Sequence, residues 1–564
     1  MSEDTRDRTP SAPPGGMRRL IDAGVTMRDG VRLSADVYLP PGDAPAPAVL
    51  VRTPYNNSDA YYTDQARYFT RHGYAFVVQD CRGKFDSLGD FRPWFSEPED
   101  GFDTHEWVGT QPWCDGRVGT IGSSYDGATQ WLAAPLANAH LQAMVPAVVP
   151  SDYWAQDHYV GGAFAHGLNL SWAVRNAARS RRELTPLDVT ELWWHLPLVT
   201  GDAAAGTDIP WYREWLDHPT YDDFWRALST REHAATVDVP ALNVCGWYDA
   251  YAGAALEHWT LVHAHGASAA TRAAQRLVMG PWHHMIGERI VGQVDFGPEA
   301  VAEMREIERR FLDRWLRDVD DGLDAEPPLR LFVMGENRWR GEHEWPLART
   351  AWTSLFLAAD RALRADPPAV GTADASSDTF VYDPANPVIT TGGNHSLVHP
   401  AITVGPHDQR SVEARSDVLV YTGPILDAPL EVTGPVSAVL FVSSSAPDTD
   451  VTARLVDVHP DGRAINVCEG VLRARYRESI ERPVLMTPGE VYEVRIDLGP
   501  TSNVFLSGHR VRLDVSSSNF PRIDRNLNTG GPIGFETEWR VAENTVHHAE
   551  RHPSRLVLPV IPSP

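Results

Sequence analysis

Two serines stand between glycines in Gly122-Ser123-Ser124-Tyr125-Asp126-Gly127. The apolar run Val118–Ile121 before them reads as the end of a strand, and Ala128, Trp131, Leu132 and Ala133 after them read as one face of a helix. So abrupt a change from strand to helix needs residues without bulky Cβ substituents on both sides. It also lifts the central side chain, that of Ser124, to the N-terminus of the new helix. This is the pattern of a nucleophile elbow, G-x-S-x-G, although Asp126 occupies the place of the second glycine and Gly127 comes one residue late. A plain Gly/Ser loop has the same composition, so the serine needs partners to mean anything.

A serine hydroxyl becomes an effective nucleophile when a base takes its proton and a carboxylate orients that base. In sheets of α/β type such groups sit just beyond the carboxyl ends of strands. Asp249 follows the apolar run Ala241-Leu242-Asn243-Val244-Cys245, and His283 and His284 follow Arg276-Leu277-Val278-Met279. Taken singly, Asp249 also suits a turn or helix cap, and the histidines a polar loop. Their arrival at strand ends in the order Ser, Asp, His favours chemistry. An oxyanion would be met by the backbone N–H of Tyr125 and by a donor from the loop after an earlier strand. That loop, Thr53-Pro54-Tyr55-Asn56-Asn57, offers Tyr55, for which a purely structural role fits the bare sequence equally well.

The elements around these residues supply the required scaffold. From about Val25 to Pro150, short apolar strands alternate with helices, the arrangement of a mostly parallel sheet covered on both faces. Between Ser151 and about Ala235 no strand pattern remains and seven tryptophans accumulate, including Trp172, which predicts a helical insertion. Strand-to-loop patterning resumes to about Trp345. Beyond it, apolar and polar residues alternate between Asp-Gly, Pro-Gly and Ser-Gly turns, predicting an antiparallel sandwich or jelly roll. The expected organisation is a disordered leader over 1–20, a hydrolase domain over 21–150 and 236–345, a helical cap over 151–235, and a β-sandwich over 346–564. The mixed segment from Phe520 to Gly530 is expected to dock the sandwich on the rest.

Composition excludes several classes. A chain of 564 residues exceeds one hydrophobic core, so several domains are expected. No apolar run of 18 residues occurs, and the polar opening lacks a signal-peptide core, predicting a cytoplasmic protein. A net charge of −25 opposes non-specific binding of nucleic acid or anionic membrane. The four cysteines are scattered and indicate neither a disulfide framework nor a zinc site, so no metal or other cofactor is expected. The expected partner is a small-molecule ester or amide; self-association into a homo-oligomer stays open.

The stretches Met27–Pro40, Arg52–Tyr55, Arg82–Phe91, Gly122–Gly127, Gly246–Tyr251, Gly280–His284 and Ser516–Gly530 together resemble the group of serine hydrolases that includes bacterial cocaine esterase, α-amino-acid ester hydrolases and X-Pro dipeptidyl-peptidases. The resemblance spans nearly the whole chain. It implies an α/β-hydrolase domain, an inserted helical cap and a C-terminal jelly roll. It also implies Ser124 as nucleophile, Asp249 as orienting acid, His284 as base and Tyr55 as side-chain oxyanion donor. The group's elbow, G-x-S-Y-x-G, accommodates Gly127. By motif position Trp172 and Tyr251 are similar to acyl-pocket residues, and Asp157 to one member of an ammonium-binding acidic cluster whose other two places hold Tyr251 and Ala252. The resemblance thus implies a carboxylic-ester hydrolase working through an acyl-enzyme. The alternative is an α-amino-acid ester hydrolase or acyltransferase, or an X-Pro dipeptidyl-peptidase, with the same triad.

Overall fold

Alternate residues of a single strand enter two different cores, and this fixes the architecture. In a computed structural model, which describes residues 16–180, 189–369, 376–397 and 399–562, strand β3 (Ala46–Thr53) sends Val49 and Val51 to one face and Ala48 and Leu50 to the other. The first pair packs with Phe69 of helix α1 (Ala60–Arg71) and with Phe311 of the helix Met304–Arg317. The second packs with Val108 of helix α2 (Glu97–Gly109). A strand apolar on both faces belongs inside a sheet covered on both sides.

That sheet has ten strands. Besides β3 they are β1 (Arg18–Thr26), β2 (Arg32–Leu39), β4 (Ala75–Asp80), β5 (Cys114–Ser123), β6 (Leu141–Ala147), β7 (Leu242–Gly246), β8 (Arg276–Gly280), β9 (Leu329–Val333) and β10 (Arg338–Glu342). Their order across the sheet is β1-β2-β4-β3-β5-β6-β7-β8-β9-β10. Neighbours from β4 to β9 run parallel, while β1, β2 and β10 pair antiparallel at the edges. This is the α/β-hydrolase arrangement. The leader expected over 1–20 falls partly outside the described residues, and its last part is corrected. Arg18 to Leu20 already lie in β1, where Arg18 faces Leu39 across the antiparallel ladder.

Between β6 and β7 the chain leaves the sheet and forms short helices, among them α4 (His166–Asn176), after helix α3 (Tyr125–Ala133) has followed β5. The expectation that no strand occurs here needs one amendment. Tyr159–Val160 and Ala163–Phe164 form a two-residue antiparallel ribbon, too short to leave a period in the sequence.

From Ala351 to Ile561 the chain forms two antiparallel sheets. Val436 and Leu440 of one sheet and Leu455 and Leu513 of the other share a single buried cluster, as in a jelly-roll-like sandwich. This unit clasps the helical insertion. Gly167 N–H donates to Pro521 O at 2.8 Å, and Phe164 N–H to Asp524 Oδ1 at 2.9 Å. The rings of Trp194 and Phe520 lie 4.6 Å apart. Asp524 is in turn held by the buried Arg473 guanidinium, shared with Asp450. At Gly161 (φ +55°) a Cβ would lie 1.8 Å from Val471 O, so only glycine lets the insertion approach so closely. Among the described residues, no helix is long and apolar enough to cross a membrane.

Candidate active site

The turn from β5 into α3 adopts backbone that side chains rarely accept. Gly122 has φ +146° and Ser124 φ +59°. A Cβ on Gly122 would meet Asp126 Cβ at 2.5 Å, and one on Gly127 would meet Val149 Cγ2 at 2.4 Å. These are the close approaches that require glycine, which explains why the second small residue stands at 127 and not at 126. Ser124 accepts this strained conformation and is held by its N–H on Ala147 O at 2.9 Å. Tyr125 is the first residue of α3, so its N–H has no acceptor within the helix.

Asp126 has its own task. Its buried carboxylate accepts the Tyr62 hydroxyl at 2.6 Å. That hydroxyl also meets Thr53 Oγ1 at 2.7 Å, and Thr53 Oγ1 accepts Tyr55 N–H at 3.1 Å. A chain of hydrogen bonds therefore ties the elbow to the loop carrying Tyr55. Burial pushes the Asp126 carboxyl up to about 7.

Asp249 lies three residues beyond β7 and is fully buried. Its Oδ2 receives His284 Nδ1 at 2.7 Å and its Oδ1 receives Tyr251 N–H at 2.8 Å. His283, the other member of the pair, turns toward Glu288, with Nε2 at 3.5 Å from its carboxylate. Burial lowers the His283 imidazole below its ordinary value.

Ser124, His284, Tyr55, Tyr125, Trp172, Tyr251 and Asp157 all face one cavity of about 520 Å³. The Tyr55 oxygen accepts Trp172 Nε1–H at 3.1 Å. Because Trp172 supplies that proton, the phenolic hydrogen of Tyr55 stays available for another acceptor. Burial raises the phenol above its ordinary value, so it remains a neutral donor. Trp172 stacks on Tyr125 at 5.9 Å and 7°, and on Trp94 at 5.8 Å and 17°. The Tyr251 hydroxyl donates to Asp157 Oδ1, and burial pushes that carboxyl up to about 6. The neighbouring His158, lowered to about 3 by burial, brings Asp157 no positive charge.

Sequence reading did not find Trp94, Tyr153, Leu168, Ser396 or Leu397, which also line the cavity. Ser396 and Leu397 come from a long connection within the C-terminal sandwich, between the strands Ser377–Tyr382 and Leu419–Thr422. No spacing connects them to Ser124, since only tertiary packing does so.

The family model described as "X-Pro dipeptidyl-peptidase (S15 family)" matches residues 29–286. That of the X-Pro dipeptidyl-peptidase C-terminal non-catalytic domain matches 321–557. The chain is 42% identical to cocaine esterase of Rhodococcus sp. (strain MB1 Bresler), over 95% of this chain and 97% of that protein. Among solved structures, an aminopeptidase from a marine sediment archaeon, Thaumarchaeota archaeon, superposes with a TM-score of 0.85 at 27% identity, covering all of both chains. An α-amino acid ester hydrolase superposes with a TM-score of 0.83 at 28% identity over 99% of each.

Proposed function

The chain belongs to the X-Pro dipeptidyl-peptidase (S15) family of serine hydrolases, and on that premise we propose that it cleaves carboxylic esters through an acyl-enzyme on Ser124. The observation that carries the reading is the 2.7 Å contact between Asp249 and His284, which opens on the same cavity as Ser124. With Nδ1–H donated to Asp249, Nε2 of His284 is the nitrogen free to take the serine proton. Ser124 Oγ attacks the ester carbonyl, and the proton passes to His284. The oxyanion is met by Tyr125 N–H and the Tyr55 hydroxyl, whose oxygen is already occupied by Trp172. His284 then gives its proton to the departing alkoxide. Water, deprotonated by the same nitrogen, releases the acid.

The wall of Trp94, Tyr125, Trp172 and Leu397 suits an apolar or aromatic acyl group. A second reading, hydrolysis or transfer of α-amino acyl groups, draws on Asp157, a carboxylate lining that cavity. It is the weaker one, because the Tyr251 hydroxyl already occupies one oxygen of Asp157, and Tyr251 and Ala252 add no second acid.

The experiment is Ser124→Ala assayed on aryl, alkyl and amino-acid esters and X-Pro anilides. Hydrolysis should fall at least about 10⁴-fold with the fold intact, and labelling by a fluorophosphonate should vanish. Undiminished turnover in this variant would exclude Ser124. Fastest turnover of free-amino acyl groups by the unaltered enzyme would replace the first reading with the second.

A further inference from the structure

Outside the Ser124 cavity, one group of metal-ligating side chains stands together among the described residues: Asp457, His459 and His509. They belong to the sandwich. Asp457 is the next-to-last residue of the strand Asp450–Val458 and pairs in register with Val511 of the antiparallel strand Arg510–Ser516. His459 begins the hairpin turn that follows, its N–H donating to Arg463 O at 2.8 Å. His509 immediately precedes the second strand, its N–H on Leu506 O at 3.0 Å. Strand pairing therefore brings two turns to one end of the sheet, each with an imidazole beside the same carboxylate.

Hydrogen bonding accounts for only one of the two imidazoles beside the carboxylate. His509 Nδ1 lies 2.8 Å from Asp457 Oδ1, and His459 Nε2 lies 3.9 Å from Asp457 Oδ2. The first is a hydrogen bond; the second is too long for one. The two rings are 4.4 Å apart, tilted by 38°, and one donor atom from each residue lies within 4.8 Å of the others. Around a tetrahedral Zn²⁺ with bonds of about 2.0–2.1 Å, neighbouring donors stand about 3.3 Å apart. The observed 2.8 and 3.9 Å run to different oxygens of Asp457, Oδ1 and Oδ2, so each imidazole stands within about half an ångström of that spacing from one carboxylate oxygen. Asp457 is buried, and its ion-pair partners among the described residues are these two imidazoles, with no arginine between them.

We propose that Asp457, His459 and His509 bind one borderline divalent metal ion, of the Zn²⁺ or Co²⁺ class, at the edge of the C-terminal sandwich. Two imidazoles and one carboxylate match that class and not Mg²⁺ or Ca²⁺, which take oxygen donors. Three protein donors leave a fourth position for water or an anion. Binding displaces the proton between His509 Nδ1 and Asp457 Oδ1 into solvent and clips the two turns together. The spacing in sequence, two residues and then fifty, matches no metal motif, so only the strand register exposes the group.

The test uses the full-length protein stripped with a chelator, dialysed, and titrated with Zn²⁺ by calorimetry and with Co²⁺ by visible absorption. One ion should bind per chain, with a tetrahedral-type Co²⁺ spectrum and a melting temperature that rises with added Zn²⁺. His459→Ala and Asp457→Asn should each weaken binding at least about tenfold and abolish the spectrum. Circular dichroism and unchanged ester hydrolysis identify which of the two variants is folded, and either one suffices for the comparison. Absence of saturable binding by the unaltered chain would overturn the proposal. So would binding and a Co²⁺ spectrum left unchanged by the substitutions, since the ion would then sit on other histidines.

Discussion

The two walls of the Ser124 cavity are held in different ways. On the sheet side, Ser124, Asp249 and His284 stand on turns just past β5, β7 and β8, where the parallel ladder fixes the backbone that carries them. On the opposite side, Trp94, Trp172, Tyr153 and Leu397 are held by rings packed on rings and by the clasp between insertion and sandwich. The first wall is rigid because its neighbours are covalently close to strands that cannot slip. The second is rigid only while distant pieces of chain stay docked. Changes on the sheet side should therefore strike the chemistry, and changes on the aromatic side should strike selectivity and alignment.

The sharpest test of that division is the histidine pair. His284→Ala should lower kcat by about 10⁴-fold or more, whereas His283→Ala should leave most activity. Steady-state kinetics on one aryl ester decide it, and the reverse ranking would move the base to His283 and break the account of the sheet side. Next in size is Tyr55→Phe, which removes one oxyanion donor and should reduce kcat by roughly 10²–10³ with little change in KM. An unchanged kcat would return Tyr55 to a structural role.

Trp172 lies on the boundary between the two walls, since it touches the cavity and also donates to Tyr55. Trp172→Phe keeps an aromatic face but loses the donor, and should lower kcat by about tenfold, the worth of one ordinary hydrogen bond. Trp172→Ala should further lower kcat/KM for benzoyl esters more than for acetyl esters. Equal losses on both would remove Trp172 from the acyl pocket.

The smallest effect concerns Asp126, which ties the elbow to the loop carrying Tyr55. Its carboxyl titrates near 3.8 when unfolded and is pushed up to about 7 in the fold. Between those values the folded chain binds the extra proton, so this group's contribution to stability declines as pH rises from about 4 to about 7. Asp126→Asn should flatten that part of the stability profile, read from urea midpoints at several pH values. A profile of unchanged slope would show that Asp126 does not titrate in this range.

How much of this was legible in the sequence follows the same division. Ser124, Asp249 and the His283–His284 pair could be found because each ends an apolar run, and strand ends are where such sheets place reactive groups. The choice of His284 over His283 rested on resemblance, as both follow the same strand; the geometry distinguishes them by their contacts with Asp249 and Glu288. Asp126 read as a defect in the elbow, because its partner Tyr62 lies on α1, far away in sequence. Motif position pointed Trp172 to the proposed acyl pocket, but its donation to Tyr55 could not be read there. Ser396 and Leu397 carry no local signal whatever, as their neighbours at the cavity come from the insertion and the sheet.

The clasp between α4 and the segment Pro521–Asp524 also sets the order of events during synthesis. The helix that carries Trp172 leaves the ribosome early, yet the Pro521 carbonyl and the Asp524 carboxylate that receive Gly167 and Phe164 are among the last to appear. A nascent chain that has already delivered Ser124, Asp249 and His284 must wait for the stretch from 284 to 521 to be translated. At about 5–20 residues per second this takes roughly ten to fifty seconds. Throughout that interval Ser124 exists without the finished aromatic wall, the part of the cavity on which the proposed acyl selectivity depends.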